Sequence, residues 1–135
     1  YDDIVKWFIK MMEKGFKIAA VGMDRKFGRE FLTKMKQARF KMIDQPQLFY
    51  LKSEGFRRIE FKVKNKEFYY LHSDAYEYCV SNVRAIEKVD DAVQYEKLDG
   101  DGGTARIDLF DASVFACIQA LANLGKNSDV MSFFD

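Results

Sequence analysis

The chain has 135 residues, of which 48% are hydrophobic and 16% aromatic, and this composition excludes a disordered chain. Its 22 basic and 21 acidic residues give a formal net charge of +1, so no strong basic field steers the whole chain toward nucleic acid. No apolar run approaches the roughly 20 residues that are needed to span a bilayer.

The N-terminal third of the chain predicts alternating helices and strands. A first helix is expected to begin near Asp2 and to end at Gly15. A short strand within 16–23, a second helix over about 27–38 and a strand over 40–43 follow. This alternation predicts a parallel sheet layered with helices.

The middle of the chain is less regular. Helices are predicted over 48–51 and 53–63, a short strand over 68–71, and a helix that Ser73 caps and that continues through Val83. The aromatic residues of this region are numerous, and several of them need cover.

The C-terminal part carries the most regular segment. Residues 84–107 alternate weakly, and the glycine-rich stretch 99–103 is predicted to be a hairpin tip or a mobile loop. A last helix is expected over 109–124, apolar on nearly every side and therefore buried. Gly125 ends it, and 126–135 is predicted to be a loose tail.

Three aspartates lie where predicted elements begin or end. Asp24 directly follows the first strand, at the edge where open α/β sheets bind ligands; its alternative role is to cap the second helix. Asp108 and Asp111 are spaced i, i+3 at the start of the last helix, where the alternative is a capping-box-like arrangement supported by the helix dipole. Together the three carboxylates suit a hard cation such as Mg²⁺.

Other reactive groups are scarce. His72 is the only histidine, which argues against a Ser-His-Asp triad and a multi-histidine zinc site, and a local hydrogen bond is expected for it. Cys79 and Cys117 lack paired spacing and favour two reduced thiols. The glycine-rich stretch 99–103 has neither the lysine nor the spacing of a phosphate-binding loop.

A run of basic residues in the middle of the chain suggests contact with a phosphate backbone. The alternative is a solvated helix face, which is the commoner case. The residues are Lys52, Arg57, Arg58, Lys62, Lys64 and Lys66.

The order of motifs resembles the C-terminal nuclease domain of the large subunit of tailed-phage terminases, over nearly the whole chain. The most specific motif is the closing Arg106-Ile-Asp-Leu-Phe-Asp-Ala112. The motifs before it are Val21-Gly-Met-Asp24, Asp44-Gln45, Leu71-His72, Cys79-Val-Ser-Asn82 and Tyr95-Glu-Lys97.

This resemblance implies an RNase H-like layered α/β fold, with a mixed sheet flanked by helices, over residues 1–125. It implies a metal-dependent endonuclease that cuts concatemeric viral DNA during genome packaging, with two Mg²⁺ or Mn²⁺ ions. Asp24 and Asp108 match metal-binding positions, and Asp111 is expected to assist catalysis beside them. His72 and Asn82 match recurring positions with an expected structural role.

The resemblance also implies partners and a location: double-stranded DNA, the terminase small subunit and the portal, in the cytoplasm of the bacterial host and without a membrane. The chain begins with Tyr1 and shows neither the first metal-binding acidic strand nor the ATPase motif of such proteins. We therefore expect a fragment of a longer protein, N-terminally truncated relative to the domain, that is inactive or weak by itself.

Two other functions remain as alternatives. The nuclease hypothesis demands that Asp24 and Asp108 converge, with carboxylate oxygens within about 4–6 Å. A non-enzymatic domain that docks onto a portal or partner subunit would instead expose aromatic residues and leave the acids apart. A nucleotide-binding domain ranks last because its glycine fingerprint is missing. The aromatic residues in question are Phe49, Tyr50, Tyr69, Tyr70, Tyr76 and Tyr78.

Overall fold

The computed structural model describes residues 2–24, 26 and 28–124, with side chains described as far as 122. The chain is a mixed α/β protein that divides into two compact units, Tyr1–Pro46 (unit 1) and Gln47–Asp135 (unit 2). Its elements are α1 (Asp2–Glu13), β1 (Val21–Met23), α2 (Arg29–Gln37), β2 (Met42–Asp44), α3 (Phe49–Lys64), α4 (Asp74–Ser81), β3 (Val83–Glu87), β4 (Val93–Lys97) and α5 (Asp108–Leu124).

Unit 1 contains the predicted helix–strand–helix–strand order, and its two strands are parallel, as expected. Val21 pairs with Met42, and the Gln45 amide extends the ladder by donating to the Met23 carbonyl at 2.9 Å. The strands are shorter than predicted, with three residues each. The order of elements was therefore readable from the sequence, whereas the extent of pairing was not.

Unit 2 is built around one hydrophobic core. α3, β4 and α5 bring together Ile59, Tyr95, Phe110 and Val114, all buried. Gly55 permits this packing, because a Cβ atom at position 55 would lie 2.6 Å from the Val114 side chain. The absence of a side chain at position 55 thus lets α3 approach α5 closely.

Burial of α5 is one-sided, which corrects the expectation of a helix buried all round. Phe110 is 6% exposed and Val114 is fully buried, whereas Leu109 is 42% exposed. The reason is that α3 and α4 pack against α5 and the Tyr95 ring of β4 contacts Phe110, whereas the described residues of unit 2 leave Leu109 partly uncovered.

The strands of unit 2 form an antiparallel hairpin in which Val83 pairs with Lys97. Its tip is the short turn Val89–Asp91, in which Asp90 and Asp91 have positive φ angles of 58° and 60°. The glycine-rich stretch 99–103 follows the hairpin and is not its tip. The hairpin-tip alternative was wrong because aspartate can also adopt the left-handed conformation that a tight turn needs, whereas the mobile-loop alternative for 99–103 stays a prediction.

In unit 2, two further expectations are wrong and one is confirmed. α3 is continuous where two short helices were predicted. Residues 68–71 form no strand. Ser73 caps α4 as predicted, since its hydroxyl oxygen accepts a hydrogen bond from the Tyr76 amide at 3.1 Å. No helix in the described part of the chain has the length and apolar character needed to cross a membrane.

Candidate functional site

Asp24 lies directly after β1, half-buried, where the strand gives way to a turn. Its Oδ1 atom accepts a hydrogen bond from the Lys26 amide at 3.0 Å. α2 begins only at Arg29, after Gly28, and has no side-chain cap. Asp24 therefore stabilises the turn that leaves β1 and does not cap α2, which answers the alternative interpretation of this residue.

Asp108 is the first residue of α5, and it is exposed. The Asp111 amide donates to the Ile107 carbonyl at 2.9 Å, which makes Ile107 the residue before the first helical turn. Within the described part of the chain, the Asp108 carboxylate has no hydrogen bond or ion pair. It is therefore accessible, and only the positive end of the helix dipole compensates its charge.

Asp111 lies one turn further along α5 and has a different environment. The Tyr95 hydroxyl donates a hydrogen bond to its Oδ1 atom. The Lys52 ammonium lies 3.4 Å from the same oxygen and 4.8 Å from the centre of the Tyr95 ring. β4, α3 and α5 thus each contribute one residue to what we call the Asp111 cluster (Lys52, Tyr95 and Asp111).

The Asp111 cluster is largely shielded from solvent. The side chains of Lys52 and Asp111 are 26% and 27% exposed. Burial, and secondly the hydrogen bond to Asp111, raises the pKa of the Tyr95 phenol well above its ordinary value, so the hydroxyl remains a donor. Asp111 contacts side chains from two other elements and does not form the capping-box-like arrangement, which is a further correction.

An open groove of about 530 Å³ borders the Asp111 cluster. Lys52 and Lys97 line it together with Glu96 and Asp101, so positive and negative charges are balanced in its wall. Such a wall has no net attraction for a polyanion. The groove therefore gives no separate indication of a nucleic-acid channel.

Two of the basic residues predicted to contact DNA are occupied by acidic neighbours. The Arg57 guanidinium donates to the Asp91 carbonyl, to Glu60 and to Glu87. The Lys62 ammonium pairs with a glutamate at 2.9 Å. Both would have to exchange partners before they contacted a phosphate.

The other predicted DNA-contacting residues differ in their accessibility. Lys52 belongs to the Asp111 cluster. Arg58 is exposed, and the Lys64 side chain is 74% exposed, with only a long 3.9 Å contact to Glu60. Phosphate contact by these basic residues stays a prediction. Arg58 and Lys64 are the accessible candidates for it.

A second group of potential metal ligands was not predicted from the sequence. His72 lies 3.1 Å from Asp74 and 3.5 Å from Glu77, and the Tyr70 hydroxyl donates to Glu77 at 3.0 Å. The three ligand groups are within 4.8 Å of one another. All are exposed at the N-terminus of α4, where the helix dipole disfavours a bound cation, as it also does for Asp108 at the N-terminus of α5. The spacing His-x-Asp-x-x-Glu was the available signal.

Asn82 has a structural position that fits its expected role. It ends α4, and its side-chain amide donates to the Arg106 carbonyl at 3.1 Å. This hydrogen bond joins the end of α4 to the residues just before α5. Asn82 thereby helps to place the first turn that carries Asp108.

Aromatic residues in the segment before α4 are largely exposed. Tyr69 is 86% exposed and Leu71 is 92% exposed, while Tyr70 contacts the Tyr76 ring at 5.1 Å. On α4 itself, Tyr78 is 52% exposed. We call Tyr69, Tyr70, Leu71 and Tyr78 the aromatic surface.

Searches of protein-family models, curated proteins and solved structures found no match to this chain. The terminase family therefore remains a resemblance carried by the motifs. Asp24 lies in unit 1, and Asp108 and Asp111 lie in unit 2. The convergence of Asp24 with Asp108 stays a prediction.

Proposed function

We propose that this chain is part of a metal-dependent DNA endonuclease of the terminase large-subunit type, with an RNase H-like domain that cuts concatemeric viral DNA. Asp24 and Asp108 bind divalent metal ions in this proposal. Support comes from the motif order along the chain and from the environments of the two carboxylates.

The observation that carries the proposal is the state of Asp108. In the closing motif, Asp111 is engaged by Lys52 and Tyr95, whereas Asp108 is exposed without a partner among the described residues. An exposed carboxylate satisfies its hydrogen bonds with water, and the Asp108 oxygens are therefore open to a hard cation, which prefers carboxylate ligands.

The donor chemistry fits Mg²⁺ and Mn²⁺. Both candidate ligands are carboxylates, which hard cations prefer, and such ions commonly keep several waters beside one or two carboxylates. The bound ions would supply an activated water and would stabilise the charge on the leaving 3′ oxygen. The turn after β1 orients Asp24 through the Lys26 amide, and the first turn of α5 orients Asp108.

Contact with double-stranded DNA is assigned to the accessible basic residues of α3, namely Arg58 and Lys64. Each such contact adds affinity that falls with salt concentration. The terminase small subunit and the portal are the further partners that the resemblance implies, in the cytoplasm of the bacterial host.

The proposal is tested by titrating the isotope-labelled chain with Mn²⁺, which broadens nearby amide signals. We expect selective broadening of the Leu109 amide, lost in Asp108→Asn and kept in Asp101→Asn, a matched control on an exposed loop. Asp24→Asn tests the second ligand by the same measurement. Broadening that ignores Asp108→Asn would overturn the proposal.

Cleavage itself is measured by the nicking of supercoiled plasmid with Mn²⁺. The isolated chain is expected to show little or no activity. Strong nicking that Asp108→Asn abolishes would refute the expectation of an inactive fragment and would support the nuclease assignment. Strong nicking that survives the substitution would contradict the assignment of Asp108.

A docking function is the second candidate, and the aromatic surface favours it. Tyr69 and Leu71, two positions apart in the chain, are almost fully exposed, and exposed apolar groups close together are a feature of docking surfaces. Purified portal and small subunit from the same genome are the binding partners to test. Loss of binding in Tyr69→Ser/Leu71→Ser, with metal broadening at Leu109 unchanged, would support docking through this surface.

A further inference from the structure

The two aspartates of the closing motif lie one helical turn apart, yet only one of them is occupied. Asp111 shares its Oδ1 atom between the Tyr95 hydroxyl and the Lys52 ammonium. Asp108 has no partner in the described part of the chain. The two aspartates therefore differ in their capacity to bind a ligand.

We propose that Asp111 is a positioning residue and not a metal ligand, and that Tyr95 and Lys52 hold it so that the first turn of α5 presents Asp108 to the cation. This inference rests on the proposed function, since it assigns roles within the same metal site. It reassigns Lys52 from DNA contact to support of the site, and it gives Tyr95 a role that the sequence did not suggest.

Asp111 would bind a metal ion only at a cost. A metal ion at its Oδ1 atom would displace the Tyr95 hydroxyl, which belongs to a residue only 5% exposed. A buried hydroxyl without a partner is costly. The Lys52 ammonium would also be left beside a divalent cation. Both effects oppose coordination at Oδ1, and a cation at Oδ2 would still lie near the Lys52 ammonium.

The first turn of α5 must also be held in place if Asp108 is to bind a cation. Helix ends fray unless side chains hold them, and a site functions only when its ligand is held precisely. Tyr95 is fixed by its neighbours, because its ring stacks on Phe56 at 5.7 Å and meets Phe110 edge-on at 5.2 Å. A rigid residue of β4 thus anchors the turn of α5 that carries Asp108.

The two aspartates also differ in how their negative charges are compensated. The Lys52 ammonium compensates the Asp111 carboxylate at 3.4 Å, so the two charges largely cancel. Asp108 is then the uncompensated carboxylate at this end of α5. The cluster therefore selects one of two neighbouring acids as the ligand.

The test compares Mn²⁺ affinity at Asp108, taken as the Mn²⁺ concentration that halves the Leu109 amide signal. Tyr95→Phe removes only the hydroxyl and changes no charge. We expect the required concentration to rise roughly tenfold, as for other residues that support a metal ligand. If Asp111 were a ligand itself, freeing it from Tyr95 would lower the concentration instead, and the inference would be overturned.

A matched control is available on the same helix. The Tyr76 hydroxyl accepts a hydrogen bond from Ser113 of α5 at 3.0 Å, so Tyr76→Phe also removes a hydroxyl that contacts this helix. We expect it to leave the Mn²⁺ affinity unchanged. An equal loss in both variants would indicate a general loosening of α5 and would reject a specific role for Tyr95.

Asp111→Asn provides a second, independent comparison. The amide oxygen still accepts from Tyr95 while the charge is lost, so we expect a smaller loss of affinity than in Asp108→Asn. A loss as complete as that of Asp108→Asn would identify Asp111 as a ligand. Absence of selective broadening in the unsubstituted chain would reject the proposed function and this inference together, whereas normal broadening with no loss in Tyr95→Phe would reject the inference alone.

Discussion

Units 1 and 2 both combine helices with a two-stranded sheet, but they bury their aromatic residues differently. Phe40 of unit 1 and Phe110 of unit 2 are each 6% exposed. The Phe110 ring contacts two aromatic rings, Phe56 at 5.9 Å and Tyr95 at 5.2 Å, whereas the Phe40 ring contacts Phe8 at 5.6 Å. The two phenylalanines are thus equally buried but differ in their aromatic neighbours among the described residues.

The first helix of unit 1 makes the contrast sharper. α1 has a strongly amphipathic sequence, yet none of its described residues is buried, and Trp7 is 55% exposed. An ion pair between Asp2 and Lys34 at 2.7 Å joins it to α2, and the hydrogen bond within that pair lowers the pKa of Asp2. Exposed ion pairs contribute little stability. Element order alone therefore does not determine how deeply a helix is buried.

The largest expected effect comes from truncating the two matched phenylalanines. Phe110→Ala should lower the free energy of unfolding of unit 2 by about 3–5 kcal/mol, because it removes the ring at the centre of the core. Phe40→Ala should cost unit 1 less, since the Phe40 ring contacts one aromatic ring among the described residues and the Phe110 ring contacts two. Urea titration followed by amide signals of each unit measures both changes. An equal loss would show that the two cores are equivalent.

A smaller loss is expected where α3 meets α5. In Gly55→Ala, the added methyl group would lie 2.6 Å from the Val114 side chain, and we expect a destabilisation of roughly 1–3 kcal/mol despite the better helix propensity of alanine. Val114→Ala removes the nearer of two clashes, while the Ile118 side chain remains 2.9 Å from that methyl group, so the double variant should lose somewhat less than the sum of the single variants. Additive losses would mean that the helices separate without strain.

The buried phenol of unit 2 predicts a loss of stability at alkaline pH. Burial raises the pKa of Tyr95 in the folded chain above the value of about 10 in the unfolded chain. Its contribution is therefore complete below pH 10. It is lost above that pH, by about 1.4 kcal/mol per pH unit, because only the unfolded state releases the proton there.

This alkaline dependence is measured by urea unfolding at roughly pH 8 to 11, a window that includes the ordinary tyrosine pKa of about 10. Tyr95→Phe should reduce the loss of unfolding free energy that unit 2 shows as the pH rises. Tyr50→Phe removes a phenol that is 63% exposed and should leave the decline unchanged. Identical slopes in all three proteins would rule out Tyr95 as the cause.

The smallest expected effect is at the tip of the hairpin in unit 2. Asp91 has a φ angle of 60°, which glycine adopts without the steric cost that other residues carry. Asp91→Gly should relieve a left-handed cost of about 1–2 kcal/mol, offset in part by the roughly 0.4–1 kcal/mol that the greater unfolded-state entropy of glycine costs. A small net stabilisation of unit 2 is therefore expected, with the Arg57 hydrogen bond to the residue 91 carbonyl retained. A melting temperature below that of the unsubstituted chain would show that the aspartate side chain contributes more than the strain costs.

Local patterns predicted the parts of the fold that depend on neighbours in sequence. The order of elements in unit 1 and the Ser73 cap are determined by periodicity and capping over a few residues. The position of the hairpin tip was missed because Asp90 and Asp91 carry no glycine signal. The strand predicted over 68–71 does not form, because apolar character alone does not supply a pairing partner.

The sequence by itself determined which carboxylates are candidates, since Asp24, Asp108 and Asp111 all follow from strand ends and helix starts. Only the tertiary structure decided that Asp111 is engaged and that Asp108 is accessible. The physical reason is distance along the chain: Tyr95 and Lys52 reach Asp111 from β4 and α3. A hydrogen bond and an ion pair formed across such separations depend on how the helices and the hairpin pack, which no local pattern encodes.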